Sequence, residues 1–269
     1  VQAEAAAALG HLGDRAALEP LRATLAKARG PLVRLAAARA LLELGEASGE
    51  ERLVSALNSG TPEERLRAAS MLCDRRNAAA EKLLLQVVDE GLLQEESAVL
   101  GVLGCLLNSQ SAAAARDRLH RRLEAAVSPQ QQIELARVLS RAGDAQGRRV
   151  LRELAARPGL ARLPAARALA APDVPEVAEL FRGVLRDRQA QDAARILASE
   201  GLGQSGNLLD VRLLDRALRG PPAAELTATA AVAVLQLGAA DPTALGAESL
   251  RWARGSLGAG DWRLRESAA

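Results

Sequence analysis

Two histidines, His11 and His120, and two cysteines, Cys73 and Cys105, are the whole supply of soft or near-neutral titrating side chains in 269 residues. Metal binding needs such groups at helical or knuckle spacing, H-x-x-x-H or C-x-x-C, and nucleophilic catalysis needs an elbow or a base nearby. None of these arrangements occurs, and neither histidine has a glutamate beside it in the chain. His11 and His120 therefore read as solvated surface groups, and Cys73 and Cys105 as two small buried hydrophobes suited to a reducing cytoplasm. No catalytic, cofactor-binding or metal-binding residue is assigned, and no cofactor is expected. Gly201-Leu202-Gly203-Gln204-Ser205-Gly206 does spell the G-x-G-x-x-G nucleotide pattern. A phosphate-binding version needs a preceding strand to aim its amides. Ala193 to Glu200 carries a helical register instead, so the glycines are predicted to form an interhelix loop.

The arginines are the other chemical resource, 33 against 2 lysines. Five pairs stand at i and i+4, namely Arg118 with Arg122, Arg137 with Arg141, Arg148 with Arg152, Arg182 with Arg186, and Arg212 with Arg216. A random scatter of that many arginines gives about four, so counting denies them the status of a ladder. The coarser charge distribution is more informative. Arg116 to Arg167 holds 12 arginines against 5 acids in a chain of net charge +2. Arg118, Arg121, Arg122, Arg148, Arg149 and Arg152 within it are the candidate partner-binding residues, for an acidic protein ligand, with nucleic acid as the less favoured target.

The elements that must carry these side chains follow from composition. Alanine (59) and leucine (48) dominate, while strand formers are scarce, with no tyrosine, one phenylalanine and two tryptophans. Such a chain is all-helical and forms its core from many thin helix-on-helix contacts. Nothing in it is apolar and long enough to span a bilayer. Val33, Ala36, Ala37, Ala40, Leu41 and Leu44 lie on one helical face, and the Leu41 position recurs at Leu9, Leu72, Leu103, Leu139, Leu169, Leu197 and Val234. Steps of 28 to 37 residues define an array of helix pairs, each too small to bury its own apolar face. Val177, Leu180, Phe181, Val184 and Leu185 give the matching stripe of a second helix. Thr61-Pro62-Glu63-Glu64, Ser128-Pro129 and Asp241-Pro242 are helix starts, and Gly13, Gly45 and Gly143 are left-handed stops. Pro164 is predicted to shorten or kink its helix and to change the local curvature.

Val-x-x-x-Ala-Ala-x-Ala-Leu-Gly-x-Leu-Gly-Asp at Val1 to Asp14, Val33-Arg34-x-Ala-Ala, and Trp262 to Ala269 resemble the short HEAT repeats of the phycobilisome-lyase type. The resemblance implies one right-handed α-solenoid of about eight helix pairs over residues 1–269, with second helices lining a concave face. The half-repeats at both ends predict a segment of a longer array, monomeric or weakly self-associating through uncapped ends. Trp252, which interrupts the stripe of Leu250, Ala253 and Leu257, is then a contact for a further repeat or an exposed anchor. The expected function is a non-enzymatic protein-protein interaction scaffold, soluble and cytoplasmic. The alternative is a phycobilin-lyase-like or DNA-modifying enzyme of the same repeat type, or nucleic-acid binding through Arg116–Arg167. Iron-binding relatives use His-Glu pairs that this sequence lacks. A tetrapyrrole site calls for aromatic walls, and the chain offers only Phe181, Trp252 and Trp262.

Overall fold

The computed structural model describes residues 2–171, 173–187, 189–218 and 224–238. Trp252, Trp262, Asp241-Pro242 and the start of a further repeat lie outside them. The described residues form fifteen α-helices. They pair in chain order as α1 (Gln2–Leu12) with α2 (Leu18–Lys27), α3 (Pro31–Glu43) with α4 (Ala47–Ser59), α5 (Pro62–Leu72) with α6 (Ala78–Asp89), and α7 (Glu96–Leu106) with α8 (Ala112–Ala125). Then follow α9 (Pro129–Arg141) with α10 (Ala145–Ala156), α11 (Arg162–Leu169) with α12 (Pro175–Arg186), α13 (Asp192–Ser205) with α14 (Val211–Leu218), and α15 (Ala224–Gly238). The chain clusters into two compact units, 1–124 and 125–269. Each is a stack of helix pairs in which first helices pack on first helices, α1 on α3 in one unit, α11 on α13 and α13 on α15 in the other.

The start and stop signals act as expected. Thr61 Oγ1 accepts from the Glu64 amide at 3.3 Å while the Thr61 amide donates to Glu64 Oε2 at 2.9 Å. Ser128 accepts from the Gln131 amide at 3.2 Å. Each cap satisfies amides that the first turn leaves orphaned. Gly13, Gly45 and Gly143 stand at φ of 69°, 85° and 79°, the left-handed region where a Cβ is strained.

Alanine sets the spacing. In α3 the buried set is Leu35, Ala36, Ala37, Ala38, Ala40, Leu41 and Leu42, nearly the whole circumference, because α1, α2, α4 and α5 all pack against this helix. Of the recurring anchor positions, Leu41, Leu72, Leu103, Leu139, Leu169 and Val234 are buried. Leu197 is only half-buried, and Leu202, five residues on, takes the fully buried place because α13 runs to Ser205. Pro164 shortens its helix as predicted. At eight residues, α11 begins only two residues before the proline, within the first turn where a missing N–H costs no hydrogen bond.

Two expectations are corrected. Gly201 to Ser205 is not a loop but the last turns of α13, and the glycines are there for packing. A Cβ on Gly201 would sit 2.3 Å from the Phe181 ring of α12, and one on Gly203 would sit 2.9 Å from Ala233 Cα of α15. Cys73 and Cys105 are not independent thiols. Their sulfurs are bonded, joining the end of α5 to α7 across 32 residues. The repeat itself makes this possible, since one repeat length returns the chain to the neighbouring position. Periodicity had placed both residues near anchors (Leu72, Leu103) without bringing the two together. The bond removes the cysteine argument for a reducing compartment.

Candidate functional site

The six candidate arginines fall on two second helices. Arg118, Arg121 and Arg122 are on α8 in the first unit; Arg148, Arg149 and Arg152 are on α10 in the second. Arg118 grips both oxygens of Asp89 on α6, Nε at 2.8 Å and Nη2 at 2.5 Å. That hydrogen bonding holds the Asp89 carboxyl below its ordinary value. Arg122 reaches Glu96 at 3.1 Å, and Arg121, exposed, donates to the carbonyl of Asp117 on its own helix at 3.4 Å. On α10, Arg148 lies 3.9 Å from Asp173, Arg149 lies 3.7 Å from Glu153, and Arg152 is 3.1 Å from Glu176.

Three contacts share a pattern that counting within single helices missed, an arginine on one second helix reaching an acid at the start of the next, whereas Arg118 reaches back to the end of α6 and Arg122 reaches the first helix of its own pair. Arg22 of α2 meets Glu46, the N-cap of α4, at 2.8 Å; Arg152 of α10 meets Glu176 in the first turn of α12; Arg182 of α12 meets Asp210, in the turn before α14. An acid there complements the helix dipole, and the arginine neutralises the acid from the preceding pair. The detectable signal was an acid 24 to 28 residues downstream of an arginine. Most of these pairs are exposed and worth about 0–1 kcal/mol each.

The Arg182–Asp210 pair is different because it is largely buried. The two side chains are 19% and 6% exposed, with bonds of 2.7 and 2.9 Å, and Arg182 also holds Glu179 at 2.9 Å. Burial pushes the Asp210 carboxyl up, but the Arg182 hydrogen bonds and the Asn207 amide outweigh it and hold the carboxyl below its ordinary value. Asp210, Arg182, Arg186 and Arg212 border a surface groove of about 470 Å³.

The other side chain that sequence reasoning missed is Glu81 on α6, 2% exposed. Its Oε2 accepts from the Ser111 amide at 3.0 Å and the Ser111 hydroxyl at 2.7 Å, ahead of α8. A buried acid in an Ala-rich stripe has a sequence signal only as a break in that stripe. His11 Nδ1 lies 3.5 Å from Glu43 Oε2, one repeat away, and is mostly solvated. Among the described residues, no three of His, Cys, Asp or Glu gather where they could hold a metal ion. Among them also, no helix is long and apolar enough to cross a membrane.

No family model matches the chain, and no curated protein matches it. Among solved structures, the chain is similar to the complex of CpcE and CpcF of phycocyanin lyase from Nostoc sp. PCC7120, at 20% identity over 99% of this chain and 88% of that one, with a TM-score of 0.33.

Proposed function

We propose that this chain is a non-enzymatic interaction scaffold, a right-handed solenoid of about eight helix pairs in one array, whose second helices present charged side chains to a protein ligand. The observation that supports this reading is how the polar side chains are disposed. On α8 in the first unit, and separately on α10 in the second, arginines at exposed and part-buried positions are ion-paired to acids of adjacent helices, where a large partner can exchange with those acids. Catalysis instead calls for convergent groups in an enclosed, water-poor cavity. Arg121 and Arg149 are the residues best placed to contact an acidic partner. Both are exposed, and neither links one helix pair to another.

The test is affinity capture from a lysate of the source organism, quantified by mass spectrometry, with wild type and the Arg121→Glu/Arg149→Glu variant as bait. The reading expects a retained acidic protein that binds the variant at least tenfold less and is released by raised salt. Equal retention on both baits overturns the role of the arginines. The alternative is the lyase activity that the similar complex is named for. Phe181, the one aromatic side chain among the described residues, is fully buried between α12 and α13 and offers no wall for a tetrapyrrole. An absorbance shift on mixing the protein with a linear tetrapyrrole would favour that alternative instead.

A further inference from the structure

In the second unit, α12 and the turn that leads into α14 border the groove of about 470 Å³ beside the Arg182–Asp210 pair. Three arginines line it, Arg182, Arg186 and Arg212, against two acids, Glu179 and Asp210, so the lining carries one surplus positive charge. Glu179, Arg182 and Arg186 share one face of α12, at i, i+3 and i+7. Arg182 is engaged by Asp210 and Glu179, while Arg186 reaches Glu179 at 3.1 Å and also helps to hold the Asp210 carboxyl down. Arg212, two residues beyond Asp210, is exposed, and no acid among the described side chains pairs with it. Charges next in sequence leave the balance as it is, since Asp187 is followed by Arg188 and Asp215 by Arg216. The apolar part of the lining is Leu213, half-buried, and Leu209, 84% exposed.

We propose that this groove binds an acidic residue together with its aliphatic neighbour in a segment of the protein ligand. The charge balance selects the acid. A surplus of one matches a single carboxylate, whereas a phosphate monoester, at about −1.5 to −2, would be left undercompensated beside Glu179. Arg186 at the end of α12, Arg212 at the start of α14 and the side-chain amide of Asn207 supply the N–H donors. The leucines select the neighbour. An exposed ion pair alone contributes little, and covering Leu209 adds the affinity that the charges lack. The choice of a protein as ligand rests on the scaffold reading, whereas the pairing of carboxylate with aliphatic chain rests on the lining alone.

The experiment is a ¹H–¹⁵N NMR titration of the intact chain with the capped peptide acetyl-Ala-Leu-Glu-Ala-amide at fixed ionic strength, beside the same peptide with Gln for Glu or Ala for Leu. The expected result is a saturable shift of the Arg186, Leu209, Arg212 and Leu213 amides with the first peptide, and binding about threefold weaker with each of the others. Arg186→Gln, Arg212→Gln and Leu209→Ser lie at exposed positions where folding is not at stake. Each should weaken binding about twofold to threefold, and the triple variant about tenfold. No saturable shift, equal binding of the Glu and Gln peptides, or undiminished binding by the triple variant overturns the site. Octanoate and inorganic phosphate, followed at the same amides, then separate the ligand classes. Tighter binding of the peptide than of either supports a protein segment. Tighter binding of octanoate overturns that source, and tighter binding of phosphate overturns the carboxylate assignment. Failure here leaves the capture experiment on Arg121 and Arg149 untouched, and failure there leaves this titration untouched, so the two readings fall separately.

Discussion

The junction between α5/α6 and α7/α8 in the first unit and that between α11/α12 and α13/α14 in the second join equivalent helix pairs by different physics. The first carries a covalent bond, Cys73 to Cys105, with Arg118 on Asp89 and Glu81 on Ser111 beside it. The second carries no sulfur. There the Phe181 ring lies over the bare backbone of Gly201, and Arg182 holds Asp210 out of water. A crosslink works mainly on the unfolded chain, by removing its freedom. Interdigitation works on the folded state, and only while the shapes match.

The largest effect is expected from the shape match. Phe181→Ala should cost about 3–5 kcal/mol in urea unfolding, and Gly201→Ala about 1–3, because its methyl group would meet the ring. Hydrogen exchange should rise in α11 to α13 and stay unchanged in α1 to α8. An equal rise in the first unit would break the distinction between the two junctions.

Next comes the crosslink. Reducing a bond that closes 32 residues should cost about 3–4 kcal/mol by the loop-entropy relation. The check is a thermal melt with and without a phosphine reductant, alongside intact mass, where the native chain should be lighter by two hydrogens. A melt indifferent to reductant would mean that packing alone holds the first unit as it does the second.

An effect smaller than those of Phe181→Ala and of reduction sharpens the electrostatic part. Arg182→Met leaves Asp210 buried without its cation and should cost about 2–3 kcal/mol at pH 7. Asp210 has a depressed folded-state value, so the stability it contributes is present above the unfolded carboxyl value of about 3.9 and is lost as pH falls through the folded one. The gap between wild type and variant should therefore close in acid. A gap that is constant from pH 7 to pH 2 would assign Arg182 a packing role only.

Helix identity, pairing and caps were legible because they depend on neighbours within a turn or two. Thr61 to Glu64 and the glycine stops are local chemistry, and the Leu41 anchor recurs often enough to outvote its exceptions. What the sequence hid depends on residues a whole repeat apart. Cys73 and Cys105, Arg182 and Asp210, and Glu81 and Ser111 are each about one repeat apart and meaningless within a single helix. The glycine pattern misled for the same reason. Gly201 and Gly203 look like a loop until Phe181 and Ala233, from the helices on either side, press against them. A count of arginines at i and i+4 is also blind to the acids that Arg118, Arg122, Arg152 and Arg182 reach on other helices.

The arginine that meets an acid at the head of the next second helix also bears on how such an array grows. Arg22 with Glu46, Arg152 with Glu176 and Arg182 with Asp210 use one coupling between different pairs. A duplicated α11/α12 pair would carry the incoming Glu176 and the outgoing Arg182, and so would arrive already matched at both ends. The Phe181–Gly201 contact has no such generality, since it needs one ring and one missing side chain at fixed places. Gene duplication can therefore lengthen the array at its charged couplings, while the knob-and-gap junction is inherited whole or lost.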